Sequence, residues 1–300
     1  MAEVDLDEER FEKHREAGEI LVAVMAEARE LVEPGASLLE VAETAEARIE
    51  ELGGKPAFPV NISLDEEASH ATPARDDERT FGESVVCLDL GVHVDGWIAD
   101  AAVTVDLAGE PGLVTAAEDA LAAAIEAVEP GVHTGQVGAA IERAIDDAGY
   151  NPIVNLSGHG LGEYDAHTGP NVPNRAVDSG IELEAGEVLA IEPFASTGSG
   201  KVGEGASAEI YSLLEARPVR DRRARRLLET IAETYRTLPF AARWLDEPRA
   251  DLSLTRLERA GAVRSYPVLK EAEGALVSQA EHTLIVTEDG CEVVTAGLFE

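Results

Sequence analysis

The 300-residue chain carries 59 Asp and Glu against 24 Lys and Arg, a formal net charge of −35, and is 45% hydrophobic but only 4% aromatic. A surface this acidic excludes DNA and anionic membranes as general partners, and it is the balance that solubility in concentrated salt favours, so a halophilic source is expected. Cys87 and Cys291 give no disulfide framework, residues 1–16 lack the apolar centre of a signal peptide, and no run of about twenty apolar residues occurs. A cytoplasmic protein is the expectation.

In chain order, Ile20, Leu21, Val24, Ala28 and Leu31 recur at helical spacing and predict a helix over 7–32. Glu33-Pro34-Gly35 ends it, Ser37 is a suitable N-cap for a second helix through Leu52, and Gly53-Gly54 closes that one. The pattern then returns. Helices are expected over Leu113–Val128 and Val137–Ala148, broken by Glu129-Pro130-Gly131 and closed by Gly149. Val60-Asn61-Ile62-Ser63 matches Val154-Asn155-Leu156-Ser157, and Gly82-Glu83 and Gly186-Glu187 each open an apolar strand that ends in a carboxylate, Asp89 or Glu192. Agreement of turn, helix end, loop and strand in one order indicates a duplication, and a duplicated unit tends to place its site between the halves.

In the first half, Val85–Val94 turns at Asp95-Gly96 and returns as Trp97–Val105. In the second, the strand Val188–Phe194 returns only at Ala280–Val286, after an insert of helical character at 206–274. With Asp95-Gly96 as the turn, Val94 pairs with Trp97, Gly91 with Asp100 and Asp89 with Ala102, so Asp89 and Asp100 share a face as diagonal neighbours, with Gly91 leaving space beside Asp100. Two carboxylates among apolar neighbours require a metal or a shared proton. Glu192 and Glu281 are their counterparts by the duplication, and four converging carboxylates imply two metal ions. Ser157-Gly158-His159-Gly160 offers a nitrogen ligand in a loop, where the flanking glycines permit close backbone approach. His70 and His167 are further loop histidines near the same mouth, whereas His14, His93, His133 and His282 read as ordinary core or surface residues.

Asp89, Asp100, His159 between glycines, Glu192 in Ile-Glu-Pro-Phe and Glu281 in Gln-Ala-Glu-His-Thr together resemble the methionine aminopeptidases. Thr237-Leu238-Pro239-Phe240, Phe58-Pro59-Val60-Asn61 and Ser69-His70-Ala71-Thr72-Pro73 resemble their type II members, and the short N-terminus resembles the archaeal subgroup. The resemblance implies an α+β pita-bread fold: an antiparallel sheet with pseudo-twofold symmetry, backed by helices. Residues 1–205 and 275–300 would form the catalytic domain, and 206–274 the type II insert subdomain. It implies two divalent ions (Co, Mn, Fe or Zn), with Asp89 on one, Asp100 and Glu281 bridging, and His159 with Glu192 on the other. The activity implied is removal of the N-terminal methionine from nascent proteins, with a small second residue preferred, by attack of a hydroxide bridging the metals.

Glu192 would be the base, His167 would stabilise the oxyanion, His70 would contact the scissile amide, and Phe58 would wall the methionine pocket. Ala166 stands where many type II members carry a larger aliphatic residue, a departure at that wall. Prolidases share the five ligands but usually carry an N-terminal domain of their own, and non-catalytic relatives usually lose ligands. Twelve arginines between Arg217 and Arg264 face seven acids in the same span. That run reads as a solvated helix face or, more sharply, as a docking surface for the ribosome. Nothing in the sequence demands an interface, so a monomer is expected.

Overall fold

The computed structural model describes residues 6–299; residues 1–5 and 300, which the expected boundaries include, lie outside the described residues. Two similar layers stand side by side. In the first, α1 (Leu6–Leu31) and α2 (Leu38–Glu51) pack on a sheet built around the hairpin Val85–Val94 and Trp97–Asp106. In the second, α3 (Pro111–Ala127) and α4 (Thr134–Asp147) cover a five-stranded sheet that contains Ser157–Gly162, Asp165–Pro173, Val188–Ile191 and His282–Val286. Each layer has its own core. Leu21, Met25, Ile49, Ile62, Leu88 and Leu90 fill the first, and Leu113, Ile141, Ile145, Leu189, Ile191 and Leu284 fill the second.

The duplication extends to backbone hydrogen bonds. Gly35 and Gly131 both take positive φ, at 93° and 87°, and each amide donates over 2.8 Å to a carbonyl in the loop before the next long strand, Phe81 O and Leu183 O. Helices α2 and α4 have 14 residues each and end before Gly53 and Gly149, again at positive φ where a side chain would be strained. Ser37 caps α2 by accepting from the Glu40 amide. The matched helix carboxylates Glu46 and Glu142 each accept from a backbone amide, but from unmatched positions, Val60 and Ala176.

The expected hairpin register is observed, with Val94 opposite Trp97, Gly91 opposite Asp100 and Asp89 opposite Ala102. Asp95 and Gly96 take φ of 51° and 97°, the left-handed pair that a two-residue turn between twisted strands requires. In the second half, Ile191 pairs with His282 and Phe194 with Gln279, in separate sheets. The expected single strand Val188–Phe194 is therefore broken at Glu192-Pro193, where proline has no amide to donate. The halves join where strand Trp97–Asp106 meets 277–286. Asp100 N donates to Thr283 Oγ1 (2.7 Å), that hydroxyl donates back to Asp100 O (2.8 Å), and Glu281 N donates to Ala102 O (3.0 Å).

The segment 206–274 is not purely helical. Its helices α5 (Arg222–Thr234) and α6 (Ala250–Arg259) pack on a three-stranded sheet of Ile210–Leu213, Phe240–Ala241 and Val263–Tyr266, around Leu227, Ile231, Phe240, Leu254 and Leu257. It is tied to the first half by a buried ion pair between Arg243 and Glu46, reinforced by Trp244 Nε1 donating to Glu46 (2.8 Å) and Arg243 donating to Thr72 Oγ1 (2.7 Å) and Pro73 O (2.9 Å). Removing one partner strands a buried charge, so Arg243→Ala should cost about 3–5 kcal/mol. The loss should appear as a lower urea midpoint followed by tryptophan fluorescence, and Arg243→Met with Glu46→Leu should recover most of it. An unchanged midpoint for Arg243→Ala would remove the tie.

Candidate metal centre

Asp89, Asp100, His159, Glu192 and Glu281 all line one cavity of about 310 Å³ between the two layers, together with Phe58, His70 and His167. Asp100, His159 and Glu281 are buried, and each brings a ligand atom within 4.8 Å of the others. His159 Nε2 lies 3.7 Å from Glu192 Oε1 and 3.9 Å from Asp100 Oδ2. The ring's other nitrogen, Nδ1, lies 3.3 Å from Gly160 O. A carbonyl oxygen only accepts, so Nδ1 carries the proton and Nε2 presents a lone pair to the carboxylates. Lone pair facing carboxylate is repulsive without a cation between them.

His159 is on a strand, not in the expected loop: it pairs with Ala190 in the middle of the second sheet. His167 lies on the partner strand Asp165–Pro173, with its ring centroid 4.5 Å from that of His159. The glycines act as the spacing suggested. A Cβ on Gly158 would come within 2.4 Å of Ala190 O, and one on Gly160 within 2.2 Å of Gly169 O. Gly91, however, does not leave space beside Asp100. The Phe58 ring fills the place of its missing side chain, where a Cβ would sit 2.2 Å from Cε1. Phe58, which lines the cavity, belongs to one apolar cluster with Ala166, Leu161 and Ala190. His14, His93 and His282 are bonded to Ile98 O, Gly96 N and Thr295 Oγ1, and His133 caps α4, so none joins the site.

Several site residues escaped sequence reasoning. Asn61 Nδ2 donates to Asp89 Oδ2 (3.2 Å), and Gln279 Nε2 donates to Glu192 Oε2 (3.4 Å) and Glu281 Oε2 (3.3 Å). Arg264, Tyr266, Leu269, Ile210 and Pro239 form the wall contributed by the segment 206–274. The matched positions Asn61 and Asn155 both line the cavity, so the repeat itself carried a signal for them.

The electrostatics call for a cation. Burial pushes Asp89 up from 3.8 to about 7 despite the Asn61 bond. Burial, then the neighbouring carboxylates, holds Asp100, Glu192 and Glu281 well above the usual carboxylate range. Asp89 Oδ1 and Asp100 Oδ1 are buried with no hydrogen-bond partner among the described residues. Orphaned acceptors, a histidine lone pair and mixed oxygen and nitrogen donors fit divalent transition metals.

The model of metallopeptidase family M24 matches residues 12–225. A methionine aminopeptidase of Archaeoglobus fulgidus is 54% identical over 291 residues, 97% of this chain and 100% of that protein. The chain belongs to metallopeptidase family M24. As a member it is a hydrolase dependent on divalent metal ions, and its fold is the pita-bread fold. Solved structures with this fold include a methionine aminopeptidase of Thermotoga maritima (TM-score 0.72, 24% identity, 98% of this chain and 99% of that one) and a thermophilic Arx1 (TM-score 0.84, 19% identity, 97% and 91%).

A stability test follows from the metal site of this metallopeptidase. Asp89 is held above its ordinary value, so between about pH 4 and 7 the folded state binds more protons than the unfolded one, and stability falls as pH rises. In EDTA, the melting temperature should drop from pH 5 to pH 8. Added Mn or Co should reverse the trend, because the metal takes the charged form. A flat profile in EDTA would contradict the burial of these carboxylates.

Proposed function

We propose that this member of family M24 is a methionine aminopeptidase that removes the N-terminal methionine of nascent proteins, preferring a small second residue. The observation that carries the reading is the single cavity lined by five ligand-type side chains, two with orphaned oxygens, with Phe58 as an apolar wall. Its strongest support from relatives is the Archaeoglobus enzyme, matched along its whole length.

In this reading Asp89, Asp100, His159, Glu192 and Glu281 are the residues that would hold the two divalent ions. When bound, such ions lower the pKa of water toward neutrality and polarise the scissile carbonyl. The chain's own groups do the rest. Glu192 stands at the strand break with one oxygen facing His159 and the other steadied by Gln279. It accepts the proton from the attacking water and delivers it to the leaving amine. Burial lowers both His70 and His167, to about 4 and about 3, so both act as neutral rings near pH 7. His70 Nδ1 lies 3.3 Å from Pro267 O and must donate, which leaves Nε2 as an acceptor for the scissile N–H. His167, beside His159, donates to the developing oxyanion.

The segment 206–274, with its own core, is then the type II insert subdomain closing one wall of the cavity. The unpaired Cys87 and Cys291 and the acidic surface suit a reducing, salt-rich cytoplasm. Among the described residues no helix is long and apolar enough to cross a membrane.

The test uses a Met-Ala-Ser peptide and an Ala-Pro peptide, each with and without EDTA. Methionine should be released from the first alone, abolished by EDTA and restored by Mn or Co. Cleavage before proline would favour a prolidase, and inertness toward both a binding protein. His159→Ala should lose one metal equivalent by metal analysis and at least about 100-fold in rate, the effect typical of disturbing a metal's protein ligands. Unchanged metal content and rate would overturn the ligand set.

We also propose ribosome contact through α5 and the residues before it. Arg220, Arg222, Arg223 and Arg226 are exposed and form no ion pair among the described residues, whereas Arg217 and Arg256 bind Glu215 and Asp221. Replacing Arg222, Arg223 and Arg226 with Glu should abolish co-sedimentation with ribosomes at low salt. Unaltered co-sedimentation would overturn the contact.

A further inference from the structure

One wall of the cavity is built by the strand Val263–Tyr266, and it brings a cation to a site otherwise lined by acids, histidines and apolar or neutral groups. Arg264 is the only Arg or Lys among the lining residues. Its guanidinium is held from two sides by hydroxyls. Nε and Nη2 donate to Tyr266 OH (2.9 and 2.5 Å), and Nε also lies 3.2 Å from Ser212 Oγ on the paired strand. The Tyr266 ring in turn stands edge-on to His70, with ring centroids 5.2 Å apart. Arg264 is thus fixed in orientation yet exposed, and among the described residues it forms no ion pair. That is notable in a chain where acids outnumber Lys and Arg 59 to 24.

An oriented guanidinium with spare donors and no carboxylate is a receptor for one. Phe58, Asp100 and Glu281 are buried and Arg264 is exposed, so a peptide with its first residue at the buried apolar end, extending at about 3.3–3.6 Å per residue, comes toward this wall as it leaves the cavity. Resting on the aminopeptidase reading above, we propose that Arg264 binds a carboxylate of the peptide beyond the scissile bond, so that the enzyme favours substrates acidic within the third to fifth positions. The surrounding charge of −35 would by itself repel an acidic peptide, so any acidic preference has to come from a local cation.

The carboxylate has two sources, an Asp or Glu side chain and the C-terminus of a short peptide, and the test separates them. C-terminally amidated pentapeptides beginning Met-Ala, with Asp or Asn at the third, fourth or fifth position, are compared by kcat/KM, alongside Met-Ala-Ser as free acid and as amide. Each enzyme serves as its own reference, because only the acid-to-neutral ratio is read.

The wild-type ratio should be about 5- to 10-fold at one or more positions at low ionic strength, the size expected of one exposed charge contact of about 1 kcal/mol, and should shrink as KCl is added. Arg264→Gln should bring the ratio to one or below, and Arg264→Lys should restore part of it. A preference in the pentapeptides places the side-chain carboxylate there. A preference in the tripeptide alone assigns the contact to a terminal carboxylate. A merely structural Arg264, holding Tyr266 in place, would change all rates together and leave the ratio untouched, which would overturn the proposal. So would a wild-type ratio of one or less throughout. Methionine release without acidic preference sinks only this inference, whereas no release from any peptide sinks the aminopeptidase reading and this one with it.

Discussion

Four carboxylates face one another where the two sheets meet, and their repulsion is the constraint the rest of the fold has to contain. Asp100 and Glu281 approach across the seam, and their backbones are locked there through Thr283 and Ala102 rather than through their own side chains. The polypeptide thus fixes Asp100 and Glu281 through their main chains and leaves their carboxylate oxygens for other partners. Helices on the outer face of each layer make this possible. They bury enough Val, Leu, Ile and Ala to hold both sheets rigid while charge collects between them. Asn61 and Gln279 are the polar exceptions, and both spend their amide donors on carboxylate oxygens. They orient the ligands without neutralising them.

The strand break at Glu192-Pro193 is part of the same solution. The ladder from Val188 to Ser196 keeps one register with the strand returning through 277–285, yet its hydrogen bonds lapse at the ligands. Proline removes a donor there, and Glu192 is free to turn into the cavity. The first half needs no such break, because a tight two-residue turn keeps Asp89 and Asp100 on one face of an uninterrupted hairpin. Duplicated halves have therefore diverged in strand continuity while keeping helix lengths, closing glycines and the bonds behind them.

What could be read from the sequence follows from which interactions are local. The hairpin register was legible because Asp95-Gly96 admits one turn type, and the turn then dictates every pair. Helices α1 to α4 were legible from spacing and stop signals, to within a few residues. Glycine-rich segments lack the β-branched residues that mark strands, so the sequence around His159 reads as a loop; its strand exists only through neighbours on both sides. The strands of 206–274 were missed for a related reason. Ile210–Leu213 and Val263–Tyr266 are four residues each and pair across more than forty residues of chain, so nothing local announces them. Arg264 therefore stands out in the sequence only as one of the arginine run, and neither it nor Tyr266 is marked there as part of the cavity wall. Gly91 is expected to leave space beside Asp100, but the Phe58 ring fills that space, arriving from a distant part of the chain that the hairpin alone does not reveal.

The arginines between 217 and 264 show why a charge run is not one feature. Arg243 is buried against Glu46, and its charge is consumed in fastening the insert to the first half. Arg236 lies over the Tyr164 ring at 4.0 Å, next to the hairpin turn that Tyr164 touches through Gly96. Arg264 is held by hydroxyls at the cavity, while Arg222, Arg223 and Arg226 extend into solvent. The residue type is the same throughout, and burial and partner decide the work each one does. The segment 206–274 is bound to the first layer at the Arg243 end and open to solvent at the α5 end. Its inner wall therefore keeps its position relative to the carboxylates, and its outer face can change partners without disturbing them. That separation lets a cavity built around fixed negative charge carry a cation on the opposite wall without the two collapsing into a salt bridge.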